Sequence, residues 1–492
     1  MSLALFLCPL LAGVAAFFIR ADIPRRVLLA LSATAHLIMT VAAWIIGPSP
    51  AVGEHLLGLD ACGLLFLMIT SVLFMAATIY GIGYLAREKP VHHRDFEEGE
   101  LFANAPEARF TGCLLLFLST MTLVALSRHF GLLWVAIEAT TLASAPLIYF
   151  HRHHRSLEAT WKYLLICSVG IALALLGNFF LAIAATDAHG GGASLLLSSL
   201  IGPEAHLNGV WLKAAFILLL VGYGTKMGLA PMHTWLPDAH SEAPSVISAL
   251  LSGALLNCAF LGILRAQQVC VAAGLGGFGR ELLVAFGLLS MALAAVFIIG
   301  QADYKRMLAY SSIEHVGILA LGVGLGGAGA FGSMLHAVNH SLTKAMLFLV
   351  AGNILAAYGT KSVGDIRGLT RVAPISGVLW LAGLLAITGS PPFGTFVSEL
   401  TILKAALDGG HGLVAFLYLF ALAAVFIGMA TSFLGMAYGS PGNRELPQTG
   451  PERWSAVLPS IGLGLLVLIL GLYLPGGLRA TLLSAAAGMG GF

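Results

Sequence analysis

Apolar runs long enough to cross a bilayer recur along the whole chain, and no other feature restricts its fold as much. Crossing a hydrocarbon core of roughly 30 Å as a helix takes about 20 residues. Runs of that order occur about fourteen times, near residues 2–19, 27–46, 61–84, 110–127, 130–150, 162–186, 211–236, 243–267, 281–301, 307–326, 330–358, 374–407, 412–438 and 455–474. Of the 492 residues, 58% are hydrophobic and 10% charged, whereas a soluble domain carries about a quarter charged residues. A transmembrane β-barrel would show short segments of alternating polarity instead. The pattern predicts an all-α integral membrane protein.

The formal net charge is +2, which gives nucleic-acid binding no electrostatic support. None of Cys8, Cys62, Cys113, Cys167, Cys258 and Cys270 forms a C-x-x-C pair, and most fall inside apolar runs. They read as small core residues rather than disulfides or iron–sulfur ligands. The opening SLALFLCPLLAGVAAFFI has no basic residue before its apolar run and Arg20, Arg25 and Arg26 after it. That is the reverse of a cleavable signal peptide, so a retained first helix is expected.

Loop charge alternates. The loops after the odd-numbered spans hold Arg20, Arg25 and Arg26, then Arg87, Lys89, Arg94 and Arg109, then Arg152, Arg155 and Lys162. The same side continues with Lys305 and Arg306, then Lys361, Arg367 and Arg371, then Arg444 and Arg453. The opposite side has only Arg128, Lys213, Arg265, Arg280 and Arg479. By the positive-inside rule the basic side is cytoplasmic and both termini lie outside.

Against this apolar background stand Lys226, Lys344, Lys404, Glu138, Glu314 and Glu399, all within spans. Intramembrane ionisable groups usually face the bundle interior or water, and burial gives each a neutral as well as a charged form. Lys226 lies in VGYGTKMGLAPMHTWLPDAH, where Gly228, Pro231 and Pro237 interrupt the seventh span. Irregular backbone at membrane depth is tolerated where it lines a polar cavity, which favours a relay lysine over a structural ion pair. Glu138 is the expected partner that keeps Lys226 charged. The twelfth span is interrupted in the same way by GSPPFG, eight residues ahead of Glu399 from Pro391.

In GSMLHAVNHSLTKAMLFLVAGN, His336, His340 and Lys344 recur every four residues. They therefore share one helix face, and the stripe predicts a proton wire. A metal site on the His pair is possible, but no matching third ligand is evident, and none is expected. Glu314 is a further relay candidate beside His315. Lys305, at the end of its span, reads as an orientation charge. The runs HRHHR (His151 to Arg155) and VHHRDFEEGE (Val91 to Glu100) read as solvated loops.

The stretches KMGLAPMHTWLPDAHSEAPSVISALLSG, QADYKRMLAYSSIEHVG, HAVNHSLTKAMLFLVAGN and GSPPFGTFVSE together resemble the proton-conducting antiporter-type subunits of respiratory complex I and membrane-bound hydrogenases. LPDAHSEAPS and SPPFGTFVSE are most similar to component F of hydrogenase 4 and formate hydrogenlyase-type complexes. The resemblance covers roughly residues 110–440. It implies fourteen helices with inverted five-helix repeats at spans 4–8 and 9–13, each with one broken helix. The chain then divides into 1–109 (three helices and a loop), 110–270 (first repeat), 271–440 (second repeat) and 441–492 (last helix and tail).

The resemblance further implies that Glu138 and Lys226 form the modulating pair, His336 and His340 a central relay, and Glu399 the terminal site, with Lys344 on the same stripe and Lys305 at its edge. His233, in the first motif, is a weaker candidate. Ser252 stands where some relatives have a histidine; it can hold water but does not titrate. The implied function is proton movement, or exchange of Na⁺ for H⁺, driven by electron transfer in partner subunits. Iron–sulfur, nickel–iron or flavin centres are expected only in those partners, and none in this chain. A subunit of a stand-alone multi-subunit cation/proton antiporter is the alternative. The bilayer, internal water and other membrane and peripheral subunits are the expected partners.

Overall fold

The computed structural model describes residues 1–490 except 49–55, 89–92, 95–98, 100, 187–193, 441–446 and 448–449. Lys89, Arg444 and most of the run from Val91 to Glu100 lie outside the described residues.

Helix forms in every one of the predicted apolar stretches. In chain order these are α1 (Ser2–Phe18), α2 (Asp22–Ile46), α3 (Ala61–Leu85), α4 (Glu107–Leu126), α5 (Phe130–Ile148), α6 (His154–Ala184) and α7 (Gly209–Met227). After the short α8 (Trp235–Glu242) come α9 (Ser245–Ala272), α10 (Gly276–Ile298), α11 (Tyr304–Leu325), α12 (Gly327–Tyr358) and α13 (Pro374–Ile387). The chain continues through α14 (Gly394–Asp408), α15 (Gly412–Tyr438), α16 (Trp454–Leu472) and α17 (Gly476–Ala487). Among the described residues, 12 helices are long and apolar enough to cross a membrane, and α1 and α13 are shorter apolar helices. The one described strand pair, His93–Arg94 with Leu101–Phe102, lies outside them.

Small residues set the closest helix contacts. A Cβ on Gly287 of α10 would lie 2.7 Å from the Gly317 carbonyl of α11, and one on Gly222 of α7 would lie 2.6 Å from the Gly170 carbonyl of α6. Lipid offers no hydrophobic drive to bring helices together, so backbone approach of this kind carries the packing. The result is graded burial. The most apolar stretch of α9 is 100% buried and that of α11 94%, against 28% for α15 and 33% for α2. Within α9 the ladder loosens to a π-turn at Leu251–Leu255, and that turn contains Ser252.

Both predicted breaks form, and each has a physical cause. α7 ends because Gly228 adopts φ 85°, a left-handed conformation that glycine takes without strain. A Cβ there would overlap Leu236 Cδ1. Its amide bonds back to the Gly224 and Thr225 carbonyls, and Trp235 Nε1 donates to the Thr225 carbonyl at 2.8 Å. The helix end is thereby satisfied inside the protein rather than by lipid. In the twelfth stretch α13 stops at Thr388, Gly389 turns with φ 58°, and α14 starts after Pro391 and Pro392.

The motif LPDAHSE is tied down on three sides. Asp238 bonds to Lys162 at 2.9 Å and Arg306 at 3.0 Å, and Glu242 to Lys361 at 2.7 Å. Ser241 donates to Asp303 Oδ2 at 2.6 Å, while Asp303 Oδ1 caps α11 by accepting from the Lys305 and Arg306 amides. The motifs LPDAHSE and QADYKR thus recognise one another.

Two details differ from the sequence reading. His153 accepts from the Ser156 amide and is buried, so HRHHR starts α6 at His154 rather than forming a solvated loop. Lys404 is exposed and paired with Asp408 one turn on, at the end of α14, instead of entering the core. All six cysteines are free, as expected, and five are buried.

Toward the C-terminal end of α9, Arg265 is buried and donates through its second guanidinium nitrogen to Asp60 Oδ1 at 2.7 Å. Asp60 in turn accepts from the Gly63 amide and caps α3. Burial alone would raise the Asp60 carboxyl, but the Arg265 guanidinium overrides it and holds the group at about 2.

Candidate functional site

Two polar constellations occupy the buried bundle. The first joins α5, α6 and α7. Lys226, with no solvent exposure, donates to Thr141 Oγ1 at 2.6 Å and to the Tyr163 hydroxyl at 2.8 Å. Its ammonium also lies 4.6 Å from the centre of the Tyr163 ring. Thr141 donates onward to Glu138 Oε2 at 3.1 Å, and Ser168 donates to Glu138 Oε1 at 2.9 Å.

The expected direct pair of Glu138 and Lys226 is therefore replaced by a pair bridged through one hydroxyl. Glu138 itself is half-buried at the edge of the bundle, whereas Thr141 is fully buried. Thr141 follows Glu138 by three residues, so both point from one face of α5 toward α7.

The second constellation joins α11, α12 and α14. Lys344 donates to the Leu308 carbonyl at 2.6 Å and to the Ser311 hydroxyl. One turn before it, His340 stacks on His315 with ring centroids 4.8 Å apart. His315 Nδ1 lies 2.8 Å from His336 Nε2, and His336 Nδ1 lies 3.0 Å from Ser398 Oγ. Glu399, the next residue, is 5% exposed. Its carboxylate fills the hollow left by Gly389, where a Cβ would overlap Oε2. The break in the twelfth stretch thus makes the room that Glu399 occupies.

Between the two, Ser252 of the π-turn and Ser312 of α11 share a hydrogen bond at 2.8 Å. Glu314 is buried on α11. His233 is buried beside Phe297, at 6.5 Å between ring centres, and among the described residues no hydrogen bond joins it to either constellation. His240 of α8 is fully buried near Phe348.

Lys305 is not the solvated orientation charge that its position suggests. It is buried and donates to the carbonyls of Ser241 at 2.9 Å and Ala243 at 2.6 Å. With Tyr84, His151, Arg155, Glu242 and Lys361 it lines a cavity of about 520 Å³. That cavity opens among the loops of the basic side.

Sequence reasoning missed Thr141, Tyr163, His315 and Ser398 as members of these constellations. The i, i+3 spacing of Glu138 and Thr141 was a usable signal. The others are brought in by neighbouring helices, and nothing in their own local sequence marks them.

The family model for the transmembrane region of the NADH:quinone oxidoreductase/Mrp antiporter proteins matches residues 127–427. The chain belongs to that family. Both constellations lie within the matched residues. The chain is also 37% identical to a hydrogenase-4 component F homolog of Methylacidiphilum infernorum, over 85% of each protein. It is 29% identical to hydrogenase-4 component B of Escherichia coli, over 70% of this chain and 50% of that one. Relative to a Na⁺/H⁺ antiporter subunit A1 of Staphylococcus haemolyticus it is 28% identical, over 89% and 54% respectively. It therefore spans most of the component F homolog but only about half the length of the other two.

Among solved structures, a chain of the Mrp complex from Dietzia superposes with a TM-score of 0.81 at 20% identity, covering 99% of this chain and 97% of that one. A chain of respiratory complex I from Thermus thermophilus superposes with a TM-score of 0.75 at 25% identity, covering 96% and 97%. The architecture of this NADH:quinone oxidoreductase/Mrp antiporter family member is that of membrane antiporter-like subunits, as the motifs implied.

Proposed function

We propose that this chain moves protons across the cytoplasmic membrane of a prokaryote as a subunit of a larger assembly, whose electron-transfer centres reside in partner subunits. The observation that carries this reading is the geometry of its buried titratable groups. Lys226 reaches Glu138 through a hydroxyl, and His315, His336 and Ser398 follow one another at hydrogen-bond distance across helices rather than along one, with His340 stacked on His315. A static support for helix packing needs ion pairs; here Lys226 and Glu138 are separated by a group that can both donate and accept.

In the proposed cycle, a change in charge or geometry at half-buried Glu138 alters how strongly Thr141 holds the Lys226 ammonium. Thr141 accepts from lysine while donating to the carboxylate, so weakening one bond weakens the other and lowers the hold of Lys226 on its proton. The Ser252–Ser312 hydroxyls then connect the halves with the help of water. His340, His315 and His336 pass the proton among their ring nitrogens, and Ser398 and Glu399 end the path. The cavity lined by Lys305 supplies protons from the basic side, which the loop-charge asymmetry makes cytoplasmic, with both termini outside. We further propose fourteen crossings in two inverted repeats, with the breaks after Lys226 and before Glu399 as equivalents.

The decisive experiment is proton movement in reconstituted vesicles, or in the intact assembly, for Lys226→Ala and Glu399→Gln. Each is expected to abolish coupled movement while leaving membrane insertion and assembly intact. Unchanged pumping in either variant would sink the relay. A stand-alone cation/proton antiporter subunit is the second reading, favoured by the likeness to the Na⁺/H⁺ antiporter subunit A1. Co-purification with a redox enzyme in mild detergent decides against it.

A further inference from the structure

No third metal ligand for the His336–His340 pair is evident in the sequence, but the folded chain supplies one set around His336. His315 of α11, His336 of α12 and Glu399 of α14 each present one ligand atom, and the three atoms lie within 4.8 Å of one another. Two ligands on a tetrahedral ion with bonds of about 2.0–2.1 Å sit about 3.3 Å apart. Closing the triangle therefore asks for small side-chain rotations rather than helix movement. Two of the required atoms are already poised at hydrogen-bond distance, His315 Nδ1 and His336 Nε2 at 2.8 Å.

We propose that His315, His336 and Glu399 form a binding site for a divalent transition-metal ion of the zinc type, and that its occupation arrests proton transfer through the second constellation. Binding rests on this triad alone; arrest rests on the relay reading above.

Three features point to a ligand. First, all three side chains are more than nine-tenths buried, and Glu399 Oε1, a carboxylate oxygen able to ligate, has no hydrogen-bond partner among the described residues. Buried polar atoms are rarely left in that condition. Second, the tautomer of His336 is set correctly. Ser398 Oγ donates to the Thr395 carbonyl at 2.8 Å, so it accepts from His336 Nδ1–H at 3.0 Å. His336 Nε2 therefore carries a lone pair facing His315, and the serine holds the ring as an outer-shell partner does at known metal sites.

Third, the donor set discriminates. Two imidazoles and one carboxylate match zinc and cobalt, whereas sodium, magnesium and calcium take all-oxygen sites. Binding displaces the proton shared between His315 and His336. It also occupies the same lone pair of His336 and the same carboxylate that proton transfer requires, so ion and proton exclude each other.

The test uses the full chain, purified without a histidine tag and stripped of metal. Co²⁺ followed by its visible absorption, and Zn²⁺ in competition with it, should give one ion per chain. X-ray absorption of the zinc-loaded protein should show only nitrogen and oxygen neighbours near 2.0–2.1 Å. His315→Gln and Glu399→Gln should each weaken binding at least about tenfold. Joint replacement of His151, His153 and His154, at the start of α6, by Gln should leave it intact. Thermal melting checks that each variant is folded, and Glu399→Asp, which keeps the carboxylate, should retain binding where Glu399→Gln loses it.

Undiminished binding in the triad variants, loss of binding in the variant at His151, His153 and His154, or a sulfur shell around zinc overturns the site. In vesicles, micromolar Zn²⁺ should slow proton movement by the wild type at least about tenfold. Full conduction by a zinc-loaded chain overturns arrest. A chain that binds the ion but conducts nothing with or without zinc refutes the relay and arrest together while leaving the site standing.

Discussion

Lys226 is joined to Glu138 through a single hydroxyl, that of Thr141, which accepts from the ammonium at 2.6 Å and donates to the carboxylate at 3.1 Å. Each end of that link holds the other in place. A direct ion pair buried in a low-dielectric interior would lock the two charges together. A bridged pair keeps both groups within reach of a second state.

Thr141→Val keeps the shape of the side chain and removes the bridge. The variant should insert and assemble normally, yet lose at least about tenfold in coupled proton movement. The loss corresponds to the roughly 1–3 kcal/mol expected when a buried donor is left unsatisfied. Thr141→Ser, which restores the hydroxyl, should recover most of the rate. A dye reporting vesicle pH measures both, and equal rates for the Val and Ser variants would remove Thr141 from the path.

Gly389→Ala tests the hollow that holds Glu399. Its backbone is left-handed, and the added Cβ falls on the carboxylate. The substitution should destabilise the protein by about 1–3 kcal/mol and displace Glu399, so proton movement should fall as it does in Glu399→Gln. Thermal unfolding in detergent and vesicle assays read the two effects separately. Gly228→Ala should show a comparable loss of stability, because its Cβ meets Leu236 instead of an ionisable group.

Asp60→Asn should be destabilising for a different reason. Arg265 is 2% exposed, and removing its partner leaves a buried, uncompensated charge at a cost of about 3–5 kcal/mol. The effect has a defined pH dependence. The folded carboxyl titrates at about 2, below its ordinary value of 3.8, so its contribution is fully present above the ordinary value and fades as pH falls through the folded one. The gap in melting temperature between wild type and Asp60→Asn should be constant from neutral pH down to about 4.5 and shrink below it.

Ser252→Ala removes one of the two hydroxyls that meet between α9 and α11. Ser312 retains the Leu308 carbonyl as an acceptor, so stability should change by less than about 1 kcal/mol. Proton movement should slow severalfold if protons cross between the halves here. Wild-type rates would place the crossing elsewhere, and hydrogen–deuterium exchange monitors the fold.

Helix positions were legible because apolar length is a one-dimensional property, and so were both breaks, because Gly and Pro act locally. The stripe of His336, His340 and Lys344 followed from one helix period. His315 escaped because it has no periodic partner on α11; its meaning comes from facing His336 on another helix. Tyr163 and Ser398 were hidden likewise, since a hydroxyl in a membrane span is common and only its neighbour makes it chemical. Lys305 was misread because its place at the end of a helix suggested water, whereas α8 folds back to cover it.

α9 touches protein on every side along its apolar stretch. The bilayer therefore has no direct say in its sequence, and the usual penalty on polar residues is replaced by whatever its neighbours can satisfy. Ser252, Asn257, Arg265 and Gln267 are all buried on it. In effect the outer helices act as the membrane for the inner one, and the chemistry at the centre of the bundle can change without any change in how the protein meets lipid.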